Sequence, residues 1–329
     1  MNISVIGAGG WGTALAVHLA KKKYDVTIWE KFPGYGKVLI RKRENVKFLP
    51  GVSIPKEVKI TSDIASAVKD KELIVLAVPS KYLRSVVEKI KSFDQEALFV
   101  SVAKGIEENT LLRMSEVVKD VLGDVNIGVL SGPSHAEEVA RDIPTTIVAA
   151  GAEEIAKKIQ DTFMGMNLRV YTNTDVVGVE LGGALKNIIA IACGISDGLG
   201  YGDNTKAAVM TRGLSEISQL GVKMGADPMT LAGLAGMGDM ITTCTSKHSR
   251  NRKVGEEIGR GKSLKEVLDS MEMVAEGVWN CKSAIQLADK FKVEMPIFHA
   301  VYVILWEGRK PFDEVGELMG RPAQEESFR

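Results

Sequence analysis

At 329 residues the chain is long for a single hydrophobic core, so its length predicts two domains. The 42 basic and 42 acidic residues cancel, which excludes an overall field that would attract nucleic acid or an anionic membrane. The cysteines Cys193, Cys244 and Cys281 are too widely spaced for a disulfide framework or a paired metal site, as is typical of a reducing compartment. We therefore expect a cytoplasmic protein with no leader and no run approaching the ~18 uncharged apolar residues of a membrane span.

The first half of the chain alternates short apolar runs with amphipathic segments. Runs rich in valine and isoleucine predict strands at 2–6, 25–29, 73–78, 97–102, 127–131 and 145–149, with a less apolar one at 168–171. The segments between them predict helices at 13–22, 82–91, 110–121 and 153–163. Strands that are apolar on nearly every residue and alternate with helices predict a parallel, doubly wound sheet of the Rossmann type.

The strand pattern stops after Tyr171. Periodic segments bounded by glycine or proline then predict helices at 176–197, 206–224, 249–259, 276–291 and 297–307. The sequence thus predicts an α/β domain over residues 1–174 and an all-helical domain over residues 175–329.

A glycine motif follows the first predicted strand. Residues 7–12 read Gly7-Ala8-Gly9-Gly10-Trp11-Gly12 and match the pattern GxGxxG. Gly7 permits the tight turn, Gly9 lets the backbone approach a pyrophosphate, and Gly12 lets the next helix pack on the strand. A purely structural turn is the alternative, but the motif lies between a buried strand and an alanine-rich helix whose N–H groups suit phosphates. Residues 1–174 are therefore predicted to bind NAD or NADP.

The end of the second predicted strand gives conflicting indications about the cofactor. Glu30 lies roughly 20 residues beyond the glycines, where a carboxylate binds a ribose 2′-hydroxyl and repels a 2′-phosphate, which favours NAD. Lys31 follows it, with Lys37, Arg41 and Arg43 nearby, and these cations suit a 2′-phosphate unless they belong to a solvated helix. The choice between NAD and NADP stays open.

The segment Gly178–Asn187 combines paired glycines with a lysine. Because a glycine inside a helix costs roughly 1 kcal/mol relative to alanine, Gly182 and Gly183 indicate close approach by another group. At helical spacing Lys186 lies among small residues, as if on the floor of a pocket. The simpler interpretation is a lysine on a solvated face, which is where most lysines lie.

Two loops are predicted further along the helical half. The glycine-rich stretch 233–238 places Asp239 in a tight loop, where it is either a functional carboxylate or a turn residue. A hydroxyl-rich loop then leads to Ser249, a predicted helix N-cap, and Arg250 beside that helix start suits a phosphate. Cys244 and His248 alone are too few ligands for a metal, and no metal site is predicted.

Several blocks along the chain resemble the bacterial NAD(P)-dependent sn-glycerol-3-phosphate dehydrogenases. In chain order they are GAGGWGTALA (7–16), VPS (78–80), VAKGIE (102–107), SGPSHAEEVA (131–140), GGALKNIIAIACGISDGLGYGDNTKAAVMTRGLSEI (182–217), LAGLAGMGDMITTCTSKHSRN (231–251) and VAEG (274–277). The resemblance spans nearly the whole chain, and the GGALKN and CTSxxSRN blocks are more specific than the glycine turn.

The resemblance implies reversible hydride transfer between NAD(P)H and dihydroxyacetone phosphate, which yields sn-glycerol 3-phosphate for phospholipid synthesis. Lys186 matches the family's proton-transfer lysine. The implied substrate contacts are Lys104, Gly132, Ser134, Lys186, Asp239, Ser249, Arg250 and Asn251. The cofactor contacts that it implies are Gly10, Trp11, Lys31, Lys104, Ala136, Arg250, Val274 and Glu276. They add to Gly7, Gly9, Gly12 and Glu30, which the glycine motif and the end of the second strand predict. Glu30 departs from the family pattern, in which a neutral residue before the basic one is commoner.

The chemistry of these residue types agrees with that implication. A hydride that reaches a ketone carbon leaves an alkoxide, which needs a proton and a nearby positive charge, and a lysine ammonium supplies both. Burial or the neighbouring cation Lys104 would ease proton release, and Asp239 would orient Lys186. Arg250 and the helix start at Ser249 would hold the phosphate. No metal is required, and the buried helical half favours a homodimer.

Two other interpretations remain at this stage. The β-hydroxyacid dehydrogenases share the layout, but they resemble a Lys-x-x-x-Asn pattern, whereas here Asn187 adjoins Lys186 and Ala190 takes the fourth place. A non-catalytic dinucleotide sensor would need neither a lysine in a small-residue pocket nor the phosphate site at Arg250. Turnover of a phosphorylated against an unphosphorylated ketone separates the three.

Overall fold

A computed structural model describes residues 1–93, 96–323 and 325–326 of the chain. The chain forms two compact units. The first comprises Met1–Lys104 and Met114–Val176, and the second comprises Gly105–Arg113 and Val177–Arg329. The segment Gly105–Arg113 thus belongs to the second unit, although a simple boundary at residues 174 and 175 leaves it in the first.

The strands of the first unit form two sheets. In chain order they are β1 (Asn2–Ile6), β2 (Asp25–Trp29), β3 (Glu44–Asn45), β4 (Leu49–Ser53), β5 (Lys59–Thr61), β6 (Leu73–Leu76), β7 (Leu98–Ser101), β8 (Ile127–Ser131), β9 (Thr145–Ala150) and β10 (Leu168–Asn173). Eight of them form one sheet in the order β10-β9-β8-β7-β6-β1-β2-β5, and β3 pairs with β4 in a small antiparallel sheet. The Rossmann-type fold predicted from the sequence is confirmed.

Helices connect these strands. They are α1 (Gly10–Lys21), α2 (Pro33–Lys42), α3 (Ile64–Val68), α4 (Leu83–Ile90), α5 (Met114–Leu122), α6 (Ala136–Ala140) and α7 (Glu153–Phe163), with a 3₁₀ turn at Ser80–Tyr82. The apolar residues of the central strands and of α1 form the core of this unit. The strands β1, β6, β7 and β8, which are buried over nearly their whole length, lie at its centre.

One strand pair departs from the predicted parallel sheet, because β8 and β9 are antiparallel. The chain between them, residues 132–144, contains only the five-residue helix α6, whereas a parallel crossover usually needs a longer helix. The prediction of a wholly parallel sheet is therefore wrong at this pair. A strand buried on both faces is apolar whichever way it runs, so its direction leaves no mark on the sequence pattern.

The second unit is helical over its described residues 177–323 and 325–326, as predicted. Its helices, the first of which begins one residue earlier, are α8 (Val176–Gly198), α9 (Asp203–Lys223), α10 (Pro228–Ala232), α11 (Asp239–Thr245), α12 (Arg250–Gly259), α13 (Leu264–Asp269), α14 (Glu276–Phe291), α15 (Pro296–Trp306) and α16 (Pro311–Met319). A π-helical turn, Leu234–Gly238, leads directly into α11.

The predicted loop at Asp239 and the threonines is wrong, because these residues form helix α11. Hydroxyl groups usually favour loops, since they compete for backbone partners. Here the threonine hydroxyls donate to carbonyls four residues back, from Thr242 to Gly238 at 3.0 Å and from Thr243 to Asp239 at 2.7 Å. The hydroxyl groups are thus satisfied within the helix.

Helix α8 lies in the core of the second unit. Among the described helices it is the one long and apolar enough to cross a membrane. However, 83% of its most apolar part is buried inside the protein. The helix also carries Glu180 and Lys186, both buried. Its apolar character is therefore that of a core helix.

Candidate active site

The glycine turn after β1 has the geometry that a dinucleotide needs. Gly7 has a φ of +117°, and an added Cβ would lie 2.7 Å from the carbonyl oxygen of Ala77. A Cβ on Gly12 would clash with the carbonyl oxygen of Gly7, so α1 packs directly on the turn. A Cβ on Gly9 would meet nothing within 4 Å. The backbone at Gly9 is thus open to a ligand beside the start of α1.

The start of α1 leaves its N–H groups directed at that opening. Within the described residues 1–93, Gly9 caps α1 with no side-chain hydrogen bond, and the first turn has no acidic residue. The partial positive charge of a helix N-terminus favours a phosphate there. Trp11 is half-buried and packs against the core of the first unit.

Asn45 in the short strand β3 supports the glycine turn. It is fully buried, and its Nδ2 donates to the carbonyl oxygen of Ala8 at 2.9 Å and to the Oγ1 of Thr13 at 2.7 Å. Its Oδ1 accepts from the hydroxyl of Tyr35 at 2.7 Å. This amide joins the glycine turn to the first turn of α1. The sequence did not single out Asn45, because a two-residue strand has no recognisable pattern.

Glu30 and Lys31 lie at the carboxyl end of β2 and face different surroundings. Glu30 is only 6% exposed, and its Oε1 accepts the backbone N–H of Phe32 at 2.9 Å. Burial raises the pKa of this carboxyl, and the Phe32 hydrogen bond partly offsets that effect. Lys31 is exposed, with its Nζ 5.4 Å from the centre of the Tyr82 ring. Both indications for cofactor choice therefore persist in the structure.

A second group of candidate residues lies beyond the ends of β7 and β8. Lys104 donates from Nζ to the carbonyl oxygen of Gly132 at 3.0 Å, and the hydroxyl of Ser134 donates to the same oxygen at 2.8 Å. Gly132 has a φ of +123°, which an L side chain rarely adopts. Ala136 begins α6, and its Cβ lies 3.6 Å from the position of a Cβ on Gly10. The first unit thus clusters Lys104 and Ser134 at Gly132 and places Ala136 against the glycine turn.

In the second unit the structure brings Lys186 and Asp239 together. Lys186 Nζ lies 2.8 Å from Asp239 Oδ1, and the two residues are 5% and 2% exposed. Nζ also donates to the hydroxyl of Thr243, one turn along α11 from Asp239. The ammonium is therefore held by two side chains of a single short helix. Thr243 was not among the predicted site residues, although its spacing of four from Asp239 puts both on one helix face.

The start of α12 provides a second polar centre in the same unit. Ser249 is its N-cap, as predicted, with its hydroxyl accepting from the N–H of Arg252 at 3.2 Å. Arg250 is the first helical residue and is exposed, whereas Ser249 and Asn251 are buried. A capped helix start that presents a guanidinium is suited to a phosphate dianion.

Asn251 links that helix start to the lysine helix. Its Nδ2 donates to Asn187 Oδ1 at 2.9 Å, and its Oδ1 accepts from the N–H of Gly277 at 2.9 Å. Asn187 directly follows Lys186 and was not among the predicted site residues. Val274 and Glu276, the remaining predicted cofactor contacts, lie just before and at the start of α14 in this same unit.

The cysteines and the metal-binding side chains give no separate centre. All three cysteines are free and buried. A hydrogen bond with Cys193 and burial raise the pKa of the Cys244 thiol. Among the described residues there is no group of three or more His, Cys, Asp and Glu side chains that would hold a metal ion.

Comparison with known proteins identifies both halves of the chain. The family described as NAD-dependent glycerol-3-phosphate dehydrogenase matches with its N-terminal part over residues 2–157 and with its C-terminal part over residues 175–315. A relative named glycerol-3-phosphate dehydrogenase [NAD(P)+] from Thermoanaerobacter sp. is 52% identical over 328 residues, 99% of each chain.

Solved structures of glycerol-3-phosphate dehydrogenases share the fold. The crystal structure of glycerol-3-phosphate dehydrogenase from Coxiella burnetii has a TM-score of 0.94 and 38% identity, and the match covers 97% of this chain and 99% of that one. The enzyme from Saccharomyces cerevisiae has a TM-score of 0.81 and 28% identity, with 98% and 99% of the two chains covered.

Proposed function

The chain belongs to the NAD-dependent glycerol-3-phosphate dehydrogenase family, and from that premise we propose how its own residues perform the reaction. As a member it is an oxidoreductase that acts on a CH–OH group with NAD or NADP. We propose that it interconverts dihydroxyacetone phosphate and sn-glycerol 3-phosphate. The family assignment argues against both the β-hydroxyacid dehydrogenase and the non-catalytic sensor.

One observation carries the proposal. The buried Lys186 is paired with Asp239 at 2.8 Å, in the same unit as the capped helix start at Arg250. A proton donor and a phosphate site within one rigid helical core are what a phosphorylated ketone requires.

The residues of the first unit fit a nicotinamide dinucleotide. Its pyrophosphate would bind at the open backbone of Gly9 and the start of α1. Within the described residues 1–93 that helix start has no side-chain cap. Gly7, Gly10, Trp11, Gly12 and Ala136 form or adjoin this turn, while Glu30 and Lys31 would meet the adenosine ribose. Lys104, Arg250, Val274 and Glu276 are proposed as further contacts. When bound, the reduced nicotinamide supplies a hydride to the substrate carbonyl carbon.

Lys186 handles the proton. In the direction of reduction its ammonium donates a proton to the carbonyl oxygen as negative charge develops there, and in oxidation the neutral amine accepts the proton from the hydroxyl. The Asp239 carboxylate and the Thr243 hydroxyl fix Nζ, so its lone pair and its protons have a defined direction. Because the site is buried, these interactions are stronger than they would be in water.

The remaining proposed substrate contacts begin with those that hold the phosphate. Arg250 and the start of α12 at Ser249 bind the phosphate, since a guanidinium offers two parallel hydrogen bonds. Asn251 is held between Asn187 and Gly277, so it braces that helix start as well as offering an amide. Lys104, Gly132 and Ser134 are proposed as contacts from the first unit.

An assay with three substrates tests the proposal. Oxidation of NADH and of NADPH is followed with dihydroxyacetone phosphate, with unphosphorylated dihydroxyacetone, and with a 3-carbon ketoacid as the control. We expect turnover with the phosphorylated ketone and a loss of at least ~10²-fold in kcat/KM without the phosphate, because Arg250 and α12 are then left without a partner. Equal use of the unphosphorylated ketone, or no turnover with any substrate, contradicts the proposal.

We also infer the cellular setting and assembly. Three buried free thiols and a core role for the apolar helix α8 support a cytoplasmic enzyme. Membership of the family supports a role in supplying glycerol 3-phosphate for phospholipid synthesis. Large exposed apolar side chains on adjoining elements of the second unit support a homodimer. They are Val222, Met229, Met237 and Ile241. Sedimentation should give twice the chain mass of 35.6 kDa, and a monomer at all concentrations contradicts the dimer.

A further inference from the structure

Four glycines bring helices α8 and α12 into direct backbone contact. Gly194 and Gly198 lie on α8, and Gly255 and Gly259 lie on α12. A Cβ added to any of them would lie within 3.0 Å of a carbonyl oxygen of the opposite helix, closer than Cβ atoms come in proteins. The Cβ on Gly194 would meet the carbonyl oxygen of Arg252, and that on Gly198 the oxygen of Glu256. The Cβ on Gly255 would meet the oxygen of Ile191, and that on Gly259 the oxygen of Ile195.

The contacts repeat every four residues on both helices. Gly255 faces Ile191, and Gly259 faces Ile195. A Cβ added to Gly259 would lie 2.5 Å from the carbonyl oxygen of Ile195. The pairs advance together along the chain, so the two helices run in the same direction and in one register. Residues four apart share one helix face, and with hydrogen in place of side chains on that face the backbones approach closely.

Polar contacts join the first turn of α12 to two points on α8. Asn251 Nδ2 donates to Asn187 Oδ1 at 2.9 Å, ahead of the glycines of α8. Arg252 Nη2 lies 2.6 Å from Asp197 Oδ2, between Gly194 and Gly198. These contacts leave α12 little freedom to slide or rotate against α8, because each polar pair would have to break for either motion.

The two helices carry the two centres assigned above. Lys186 projects from α8, eight residues before Gly194, and the phosphate site is the first turn of α12. We infer that the glycine contact is a spacer: Gly194, Gly198, Gly255 and Gly259 are positioning residues that set the distance between Lys186 Nζ and the phosphate site. That distance selects substrates whose phosphate lies one carbon beyond the carbonyl. The inference rests on the proposed function.

A series of substitutions tests the spacer. Gly259→Ala introduces the mildest clash and Gly255→Ala a deeper one, so α12 must move away from α8 by a graded amount. Gly316→Ala in α16 is the matched control, since a Cβ there meets nothing within 4 Å. Asp197→Asn weakens the ion pair with Arg252 without adding a heavy atom. It is the variant to measure if the alanine variants do not fold.

Two constants are measured for each variant that melts cooperatively. The KM for dihydroxyacetone phosphate depends on both centres and on their spacing. The Ki of inorganic phosphate, as a competitor of that substrate, depends on the first turn of α12 alone. The KM for NADH, most of whose proposed contacts lie in the first unit, is measured beside them and shows how far each substitution disturbs the cofactor site.

We expect the KM for dihydroxyacetone phosphate to rise ~10-fold or more in Gly259→Ala and further in Gly255→Ala, because a misplacement of about 1 Å costs up to ~10²-fold. Asp197→Asn should raise it by a smaller factor. The Ki of phosphate should stay within ~2-fold, the KM for NADH should change less than the KM for dihydroxyacetone phosphate, and Gly316→Ala should match wild type.

Two results overturn the inference. An unchanged KM for dihydroxyacetone phosphate in a folded variant shows that the spacing is not set by this contact. A parallel rise of KM and of the phosphate Ki shows damage to the phosphate site itself. Failure of the proposed function is distinguishable, because wild type would then show neither turnover of this ketone nor competition by phosphate.

Discussion

At the scale of single residues, Lys186 departs most from what its type usually does. Most lysines are solvated, whereas this one is 5% exposed and paired with Asp239. The glycines around it predicted a close environment, and chemistry suggested Asp239 as its partner. Thr243 could not be predicted, because the hydroxyl-rich stretch looked like a loop and only its helical form directs Thr243 at Nζ.

Glu30 is the residue at which we expect the cofactor preference to be decided. Its carboxylate lies buried at the end of β2, next to the exposed Lys31. A negative charge there opposes a 2′-phosphate by about 1–4 kcal/mol at close range, depending on how much water screens it. We expect Glu30→Ala to raise the ratio of kcat/KM for NADPH to that for NADH by about tenfold or more.

The measurement is a set of Michaelis constants for both cofactors. Glu88→Ala removes an exposed carboxylate from α4 of the same unit and is the control. A cofactor ratio that stays the same in Glu30→Ala as in wild type would assign the preference elsewhere.

At the scale of elements, the sequence predicted the features that depend on local spacing and missed those that depend on long-range contacts. The glycine turn and α1 were evident from spacing, and Ser249 was correctly identified as the cap of α12. Asn45, which braces the glycine turn, lies in a two-residue strand and 32 residues beyond Thr13, its partner. Such a contact depends on the folded backbone and leaves no periodic signal.

A buried carboxylate on α9 caps the start of α15. Glu216 is 5% exposed, and its oxygens accept the N–H groups of Ile297 at 3.0 Å and Phe298 at 3.3 Å. Burial raises the pKa of this carboxyl to about 7, against an ordinary value of 4.5, although both backbone donors act to lower it. This junction is therefore sensitive to pH.

The raised pKa predicts how stability changes with pH. Between pH 4.5 and about 7 the folded chain keeps the Glu216 proton while the unfolded chain loses it, so the free energy of unfolding falls as pH rises. The stabilisation is complete below the unfolded pKa and lost above the folded one, by about 3 kcal/mol in all. We expect Glu216→Gln to flatten this part of the profile.

Urea denaturation of both proteins from pH 4.5 to 8 measures the difference. Glu317→Gln, at an exposed position on α16, controls for the substitution itself. If wild type and Glu216→Gln lose stability in parallel across this range, Glu216 is not the group responsible.

At the scale of the whole molecule, the sequence predicted the Rossmann-type sheet and the helical second unit. It missed the direction of β9, the edge strand β5 and the small sheet of β3 and β4. Short strands and fully buried strands carry little pattern in the sequence. It also missed that Gly105–Arg113 belongs to the second unit. That segment is held there by a buried ion pair, Arg113 with Glu180 at 2.5 Å, across 67 residues of chain.

Lys186→Met tests the account most directly, because the whole proposal depends on proton transfer by this one side chain. Methionine keeps the length and the burial but removes the charge, and Lys290→Met on the exposed face of α14 is the control. NADH affinity is followed by fluorescence, and turnover with dihydroxyacetone phosphate by absorbance. We predict a loss of ~10²–10⁴-fold in kcat with unchanged NADH affinity. Turnover close to that of wild type would contradict the account.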